Sequence, residues 1–203
     1  MKRLTVQGEN WGIKVEEEMV NVLKHGGVVL HPTETCYGLA VDIFNEEALK
    51  KLYALKIMRE FKPVSIIVVD KEDAGNWADI TSKAEELFDK FWPGPYTFLL
   101  NRKKTLPQFF NRGIQKVGLR NPAYKSVLNV VKKLDHPITT TSANVSGKAE
   151  TYDINDFFTQ LKSISSSFQP DLVIDGGFLG INEPSSVYDV VDDIVLRGDI
   201  KVN

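Results

Sequence analysis

The chain has 203 residues, of which 42% are hydrophobic and 26% charged, the usual balance of a folded domain in water. This length predicts a single domain over residues 1–203 that buries most of its apolar surface. The formal net charge of −2 excludes an overall attraction to nucleic acid, so any RNA contact would need a local basic patch. The candidates for such a patch are Lys103, Lys104, Arg112, Lys116 and Arg120.

Two features of the chain bear on its location. No apolar stretch approaches membrane-spanning length, and residues 1–10 lack the apolar core of a secretion signal. The one cysteine, Cys36, excludes an internal disulfide and is typical of a reducing compartment. Together these features predict a cytoplasmic protein with no membrane contact.

Helical and strand patterns alternate irregularly in the first half of the chain. The apolar spacing predicts helices at about 15–25, 46–56 and 82–92. Runs rich in β-branched and aromatic residues predict strands at 28–31, 40–44, 63–69 and 96–100. Asn45 is a suitable N-cap for the second helix, and Ser82 with Glu85 has capping-box spacing for the third. The run 63–69 is almost wholly apolar, which is typical of a strand covered on both faces.

The second half continues the alternation, with helices expected at about 124–134 and 155–164. Strand-like runs follow at 117–120, 172–174, 186–191 and 194–197. Such an irregular alternation favours an α/β fold with a mixed sheet. We find no internal repeat and no domain boundary.

The stretch Thr139–Lys148 carries the densest set of small polar side chains in the chain. Ser142, Asn144 and Ser146 stand at alternate positions, so they would share one face if the backbone were extended. Small residues would also let a ligand come close to the backbone. A polar turn that caps a following helix has the same composition, and the spacing leaves both interpretations open.

Three polar segments, 32–38, 56–63 and 139–147, are expected to meet in one crevice of the sheet. The middle segment carries Lys56 and Lys62 on either side of Arg59, and such cations bind phosphate or carboxylate. A solvated helix end is the competing interpretation, because basic residues are favoured there in any case.

Several other kinds of site have little support. The sequence has no Gly-x-x-x-x-Gly-Lys-Ser/Thr loop and no Gly-x-Gly-x-x-Gly, the signals of common nucleotide sites. The histidines at 25, 31 and 136 lack metal-ligand spacing, so we expect no metal held by protein side chains. The position of Cys36 between Thr35 and Tyr37 indicates a small packed residue rather than a nucleophile. Ser142 lacks the Gly-x-Ser-x-Gly elbow that a hydrolase nucleophile would have.

A collinear series of segments covers nearly the whole chain and resembles the YrdC-like family of L-threonylcarbamoyladenylate synthases, in its short single-domain form. The series opens with His-Pro-Thr-Glu-Thr-Cys-Tyr-Gly-Leu at 31–39 and includes Thr-Ser-Ala-Asn-Val-Ser-Gly at 141–147. The other members are Lys56 with Lys62-Pro63, and residues 92–97, 117–122, 175–177, 184–187 and 196–198. Any one segment is a weak signal, whereas the ordered set is a strong one.

The resemblance implies both a fold and an activity. The fold is a twisted mixed β-sheet flanked by helices, with an open ligand-binding crevice. The activity joins L-threonine, bicarbonate and ATP to give threonylcarbamoyl-AMP and pyrophosphate, for threonylcarbamoyl modification of the tRNA adenosine next to the anticodon. It implies ATP as a substrate with magnesium, and tRNA or tRNA-modification proteins as partners.

The resemblance also implies roles for individual residues. The catalytic residues would be Lys56 and Arg59. The L-threonine site would comprise Thr33, Thr35, Arg120, Thr140 and Ser185. The nucleotide site would comprise Lys62, Lys116, Ser142, Asn144 and Arg197. Carbamate formation and adenylylation both place negative charge on oxygen, so this chemistry needs cations and fixed donors more than a protein nucleophile.

One departure from the family pattern concerns the basic motif after the second helix. The family usually has Lys-x-Arg, but Lys56 is followed by Ile57 and Met58, and the arginine is displaced to Arg59. If Met58 takes the arginine's place, a contact worth roughly 1.5–3 kcal/mol is missing. Activity would then fall by about one to two powers of ten unless Arg59 compensates. Ser186, where threonine is common, is a conservative change.

Met58 also motivates a second hypothesis from a different class. A non-catalytic YrdC-like paralogue would bind nucleotide, double-stranded RNA or tRNA without making the adenylate, and RNA binding would be tight and sensitive to salt. A small-molecule hydrolase on the same scaffold is a further possibility. It would release AMP without any dependence on threonine.

Overall fold

The computed structural model describes residues 1–59 and 62–201. Within these ranges the strands are β1 (Lys2–Thr5), β2 (Val29–His31), β3 (Gly38–Ala40), β4 (Ser65–Ile67), β5 (Tyr96–Asn101), β6 (Lys116–Arg120), β7 (Ile138–Ser142), β8 (Leu172–Asp175), β9 (Ser186–Asp189) and β10 (Ile194–Arg197). The helices are α1 (Ile13–Lys24), α2 (Glu46–Lys56), α3 (Lys71–Trp77), α4 (Ser82–Phe91), α5 (Lys125–Leu134) and α6 (Ile154–Ser163). None of these helices is long and apolar enough to cross a lipid bilayer.

All the described strands belong to one open, twisted sheet. Its order is β1-β8-β2-β3-β7-β4-β6-β5-β9-β10. The sheet mixes parallel and antiparallel pairs. The parallel pairs are β1 with β8, β2 with β8, β4 with β6 and β5 with β9, and antiparallel pairs include β3 with β7 and β5 with β6. Helices flank this mixed sheet, which confirms the fold class predicted from the sequence.

The sheet separates two hydrophobic cores. Successive residues of a strand point to opposite faces, and Ile66 and Ile67 of β4 accordingly enter different cores. One core packs α2, α4 and α6 on the sheet, and the other packs α1 and α5. Both isoleucines are fully buried, which confirms that the apolar run at 63–69 is covered on both faces.

Two local predictions were wrong. The strand expected at 40–44 lies earlier, at Gly38–Ala40, because Asp42 Oδ1 accepts the Phe44 N–H at 2.8 Å and turns the chain toward α2. The stretch 32–38 therefore ends inside β3. Helix α4 is capped by Thr81, whose hydroxyl accepts the Ala84 N–H, and not by Ser82.

Two elements were not predicted. Strand β1 has the sequence Lys-Arg-Leu-Thr and lies at the edge of the sheet with mostly exposed side chains, so it carries no apolar alternation. Helix α3 buries only Ala74 and therefore has no apolar stripe. Its start is fixed by Asp70, whose side chain accepts the Asp73 N–H at 2.8 Å.

Candidate functional site

A polar cavity of about 310 Å³ opens on one face of the sheet. The three segments expected to meet in one crevice all contribute to its lining, through Thr35, Lys56 and Ser142 among others. A fourth contribution comes from Pro184 and Ser185, just before β9. Segments far apart in the sequence therefore converge on one volume.

The strands themselves form the floor of the cavity. Thr97 of β5 stands opposite Arg120 of β6 on one side and opposite Val187 of β9 on the other. Val187 in turn stands opposite Arg197 of β10, and Thr140 of β7 stands opposite Ser65 of β4. All of these residues line the cavity. The site is thus a face of the sheet as well as the ends of its strands.

Gly118 is required beside this floor. A Cβ atom at Gly118 would lie 2.3 Å from Ser65 Oγ and 3.1 Å from Thr97 Cγ2, both on neighbouring strands. Any other residue would therefore displace two side chains that line the cavity. This contact gives a physical reason for glycine in the Val-Gly-Leu-Arg segment.

Lys56 lies at the last turn of α2, and its ammonium group is buried. Ile57 has a left-handed backbone (φ 49°) that ends the helix. Lys56 Nζ donates to the Ser142 carbonyl, to the Asn144 carbonyl at 3.0 Å and to Asn144 Oδ1 at 2.9 Å. Burial, reinforced by the nearby Lys62, lowers the pKa of Lys56 from 10.5 to about 8.

The polar stretch Thr139–Lys148 is half strand and half turn. Strand β7 ends at Ser142, whose hydroxyl donates to Asn144 Oδ1 at 2.8 Å, and the Ser146 N–H donates to the Lys56 carbonyl at 2.8 Å. Ser142, Asn144 and Ser146 all line the cavity. The stretch does not cap a helix, because α6 begins later and is capped by Asp153.

Arg120 holds the other side of the cavity at the end of β6. Its Nη2 donates to Glu34 Oε1 at 2.8 Å and to Thr35 Oγ1 at 3.1 Å. Thr33 does not line the cavity, but its hydroxyl donates to the Cys36 carbonyl at 2.7 Å and lies 3.0 Å from the Thr35 hydroxyl. Thr33 therefore shapes the loop that presents Thr35.

Several groups near Arg120 are buried and uncharged. Burial lowers the pKa of His31 to about 4, so the ring is neutral near pH 7. Burial likewise raises the pKa of the Cys36 thiol, which lines the cavity as a packed residue and not as a thiolate. Arg197 of β10 also lines the cavity, and its guanidinium donates to the Ser185 carbonyl and to the Ser185 hydroxyl, both at 2.8 Å.

Two of the expected site residues lie away from the cavity. Lys116 Nζ pairs with Asp189 and Asp192, both at 2.7 Å, so its charge is neutralised at the far end of β6. Arg59 is exposed and outside the cavity lining, whereas Met58 is buried and lines it. The left-handed turn at Ile57 brings the Met58 N–H back to the Tyr53 carbonyl, which decides this orientation.

Three of the five candidates for a local basic patch have separate partners or positions in the structure. Lys103 Nζ donates to the Gly75 carbonyl at 2.5 Å, and Lys116 is paired with aspartates. Arg120 points into the cavity. These side chains are thus engaged separately.

Some lining residues were not expected from the sequence. Thr97 ends a segment of the resemblance, so its position was a usable signal. Ser65 lies within the apolar run 63–69, and Glu150 lies in a loop without a motif. Glu150 is the one carboxylate residue among the described residues that line the cavity. The described residues contain no group of three or more His, Cys, Asp or Glu side chains placed to hold a metal ion.

Known proteins share this architecture. E. coli YciO superposes with a TM-score of 0.86 at 25% identity, covering all of this chain and 99% of its own. The Sua5 protein of Pyrococcus abyssi, in a crystal structure with L-threonine, superposes with a TM-score of 0.84 at 27% identity over 94% of this chain. This chain spans about half of that longer protein, 55% of its length.

The sequence comparisons agree. A Methanocaldococcus jannaschii protein, provisionally named as a threonylcarbamoyl-AMP synthase, is 34% identical over 90% of this chain and 84% of its own. Relatives from Pyrococcus abyssi, Mus musculus and Vibrio vulnificus carry the same enzyme name without that qualification. The model of the family named for Sua5, YciO and YrdC, described as telomere recombination, matches residues 21–198. The chain therefore belongs to the Sua5/YciO/YrdC family.

Proposed function

We propose that the protein is an L-threonylcarbamoyladenylate synthase, a nucleotidyltransferase that makes threonylcarbamoyl-AMP and pyrophosphate from L-threonine, bicarbonate and ATP. One observation carries the proposal: of the twelve site residues implied by the resemblance, nine line a single cavity. They are Thr35, Lys56, Lys62, Arg120, Thr140, Ser142, Asn144, Ser185 and Arg197. Relatives bearing this enzyme name, and a family structure with L-threonine, support the same activity.

The charges of the cavity suit these substrates. Lys56, Lys62 and Arg197 supply cations for a triphosphate, and Ser142 and Asn144 supply polar contacts for the nucleotide. Arg120 would face the threonine carboxylate, near the Thr35 hydroxyl. Magnesium would enter with ATP and neutralise charge on the triphosphate as pyrophosphate departs.

The proposed reaction needs no protein nucleophile. The threonine nitrogen bonds to the carbon of bicarbonate with loss of water, and a carbamate oxygen then bonds to the α-phosphorus of ATP as the bond to pyrophosphate breaks. Both steps place negative charge on oxygen, where the buried ammonium of Lys56 acts electrostatically. Lys56 is held by three hydrogen bonds and therefore needs little reorganisation.

The cellular role belongs to the same proposal. The adenylate would supply the threonylcarbamoyl modification of the tRNA adenosine next to the anticodon, in the cytoplasm, through tRNA-modification proteins that accept the product. Residues 1–203 would form a single domain.

The direct test is pyrophosphate release from ATP with threonine and bicarbonate present or omitted. We expect release that depends on both, together with an adenylate that contains threonine. Release no greater with threonine than without it, from folded protein, would contradict the proposal. AMP formed without threonine would indicate a hydrolase instead.

Met58 supports a second candidate, a non-catalytic member of the family that binds nucleotide, double-stranded RNA or tRNA. Met58 lines the cavity where the family pattern has arginine, so the cavity lacks one cation. This candidate predicts ATP binding, or RNA binding that weakens with salt, without threonine-dependent pyrophosphate release. The same assay therefore separates the two candidates.

A further inference from the structure

The guanidinium of Arg120 already has a carboxylate partner inside the protein. Arg120 Nη2 lies 2.8 Å from Glu34 Oε1, and the two side chains are only 8% and 17% exposed. The pair joins the loop after β2 to the end of β6, 86 residues apart in the sequence. The residue expected to receive a substrate carboxylate is therefore charge-balanced before any ligand arrives.

The pair is bonded through one contact only. In the described part of the chain, Arg120 Nε and Glu34 Oε2 are buried without a hydrogen-bond partner. A guanidinium has five N–H donors and can make two parallel bonds to one carboxylate. Nε is itself buried, so the donors left for a second carboxylate belong to the terminal nitrogens, of which Nη2 bonds Glu34 and Thr35. Thr35, the other acceptor of Nη2, lines the cavity together with Arg120 and marks the side from which a ligand would approach.

A ligand carboxylate at Arg120 would share the guanidinium with Glu34. Two carboxylates on one cation leave an excess negative charge in a mostly buried site, where charge interactions are stronger than in water. An α-amino acid avoids this excess because its ammonium group sits on the same carbon as its carboxylate. A simple carboxylate of the same shape brings no such group.

We propose that Glu34 is a specificity-determining residue, which acts through Arg120 to make this subsite prefer α-amino acid zwitterions over monocarboxylates. The inference rests on the proposed function, since it assigns the amino-acid end of the same cavity. Glu150 also lines the cavity, but the side-chain hydrogen bonds of Arg120 go to Glu34 and Thr35. The 2.8 Å contact between Arg120 Nη2 and Glu34 Oε1 therefore identifies Glu34 as the carboxylate that would disfavour a second negative charge at Arg120.

The test compares L-threonine with 3-hydroxybutyrate, which has the same skeleton without the ammonium group. NMR titration of the full chain gives both Kd values for the native protein and for Glu34→Gln, Glu34→Asp and Glu150→Gln. We expect Glu34→Gln to reduce the preference for threonine by about tenfold, ~1.4 kcal/mol at 25 °C. Glu34→Asp keeps the charge and should keep most of the preference. Glu150→Gln removes one charge elsewhere on the cavity wall and should reduce the preference by less than Glu34→Gln does.

The outcomes distinguish failure of the Glu34 inference from failure of the proposed function. An unchanged preference in Glu34→Gln, or an equal loss in Glu150→Gln, overturns the inference while threonine binding by the native protein still supports the proposed function. A native protein that binds neither compound overturns both. Thermal melting of each variant identifies a folding defect, and retention of the preference by Glu34→Asp then tests the charge independently of Glu34→Gln.

Discussion

Two regions of the cavity hold a buried cation in opposite ways. The ammonium of Lys56 is surrounded by neutral oxygens, the carbonyls of Ser142 and Asn144 and the Asn144 amide oxygen. The guanidinium of Arg120 is paired with the carboxylate of Glu34. Both residues are almost fully buried, at 3% and 7% exposure, so the difference lies in their partners and not in their depth.

The comparison shows that a buried cation can have partners for all its hydrogen bonds and still lack a counter-charge. Neutral oxygens accept the hydrogen bonds of Lys56 but leave its positive charge uncompensated, and burial with the nearby Lys62 lowers its pKa. The Lys56 region therefore favours a ligand with net negative charge, such as a triphosphate. The Arg120 region favours a ligand without net charge, such as an amino acid. The division agrees with the proposed substrates.

The largest effect is expected when the uncompensated cation is removed. Lys56→Ala should lower threonine-dependent pyrophosphate release by at least about 100-fold, about 2.7 kcal/mol. The reason is that Lys56 is the lysine whose ammonium is fixed in the cavity by three oxygens, among the residues that the structure describes. Lys50→Ala is the matched control, since Lys50 is exposed on the same helix and pairs with Glu47. Near-normal turnover by a folded Lys56→Ala variant would remove Lys56 from the mechanism.

A smaller effect is expected when Lys56 is given a counter-charge. Asn144→Asp would make the Lys56 region resemble the Arg120 pair, because Asn144 Oδ1 lies 2.9 Å from the ammonium. We expect ATP affinity to fall by tenfold to a hundredfold, about 1.4–2.7 kcal/mol, in a calorimetric titration. Asn155→Asp adds the same charge at an exposed position of helix α6 and should leave ATP affinity unchanged. Equal affinity in both variants would mean that Asn144 does not face the nucleotide.

Much of the fold could be predicted from the sequence because buried elements carry a periodic pattern. Helix α5 shows an apolar stripe that includes Val127, Val130 and Leu134, all buried. Strand β1 and helix α3 lack such a pattern, since their stability comes from edge pairing and from the Asp70 cap. Burial patterns predict elements that face a core, and they are silent on elements that do not.

The residues of the candidate site also fall into those that the sequence predicted and those that only the fold reveals. Ser142, Asn144 and Lys56 were expected because small polar residues and a lysine stand out in the chain and match the family. The Arg120–Glu34 pair was not expected, because a contact across 86 residues depends on the fold. The choice between Met58 and Arg59 depends on one left-handed residue, Ile57, a conformation that a β-branched residue seldom adopts.

The charge of Lys56 predicts a pH dependence of about tenfold. Because its pKa is about 8, the ammonium is mostly charged at pH 7 and mostly neutral at pH 9, so turnover should fall about tenfold over this interval. Stability changes in the opposite direction: between pH 8 and 10.5 the unfolded chain holds more protons at this group, so its contribution to stability grows with pH. In Asn144→Asp the fall in turnover should move to higher pH. A flat profile from pH 7 to 9 would show that the charge of Lys56 is not required.

The smallest effect is expected at the departure from the family motif. Met58→Arg adds a cation to the cavity wall. Turnover should rise by up to about tenfold through a new charge-assisted contact with the triphosphate, the lower end of the range expected from the sequence for the missing contact. Met58→Leu conserves volume without charge and should stay within about twofold, as should Arg59→Ala, because Arg59 is exposed outside the cavity lining. A large loss in Arg59→Ala would show instead that the displaced arginine reaches the substrates when they bind. The Lys56 region would then hold its anion with two cations, and its contrast with the single Arg120–Glu34 pair would be sharper still.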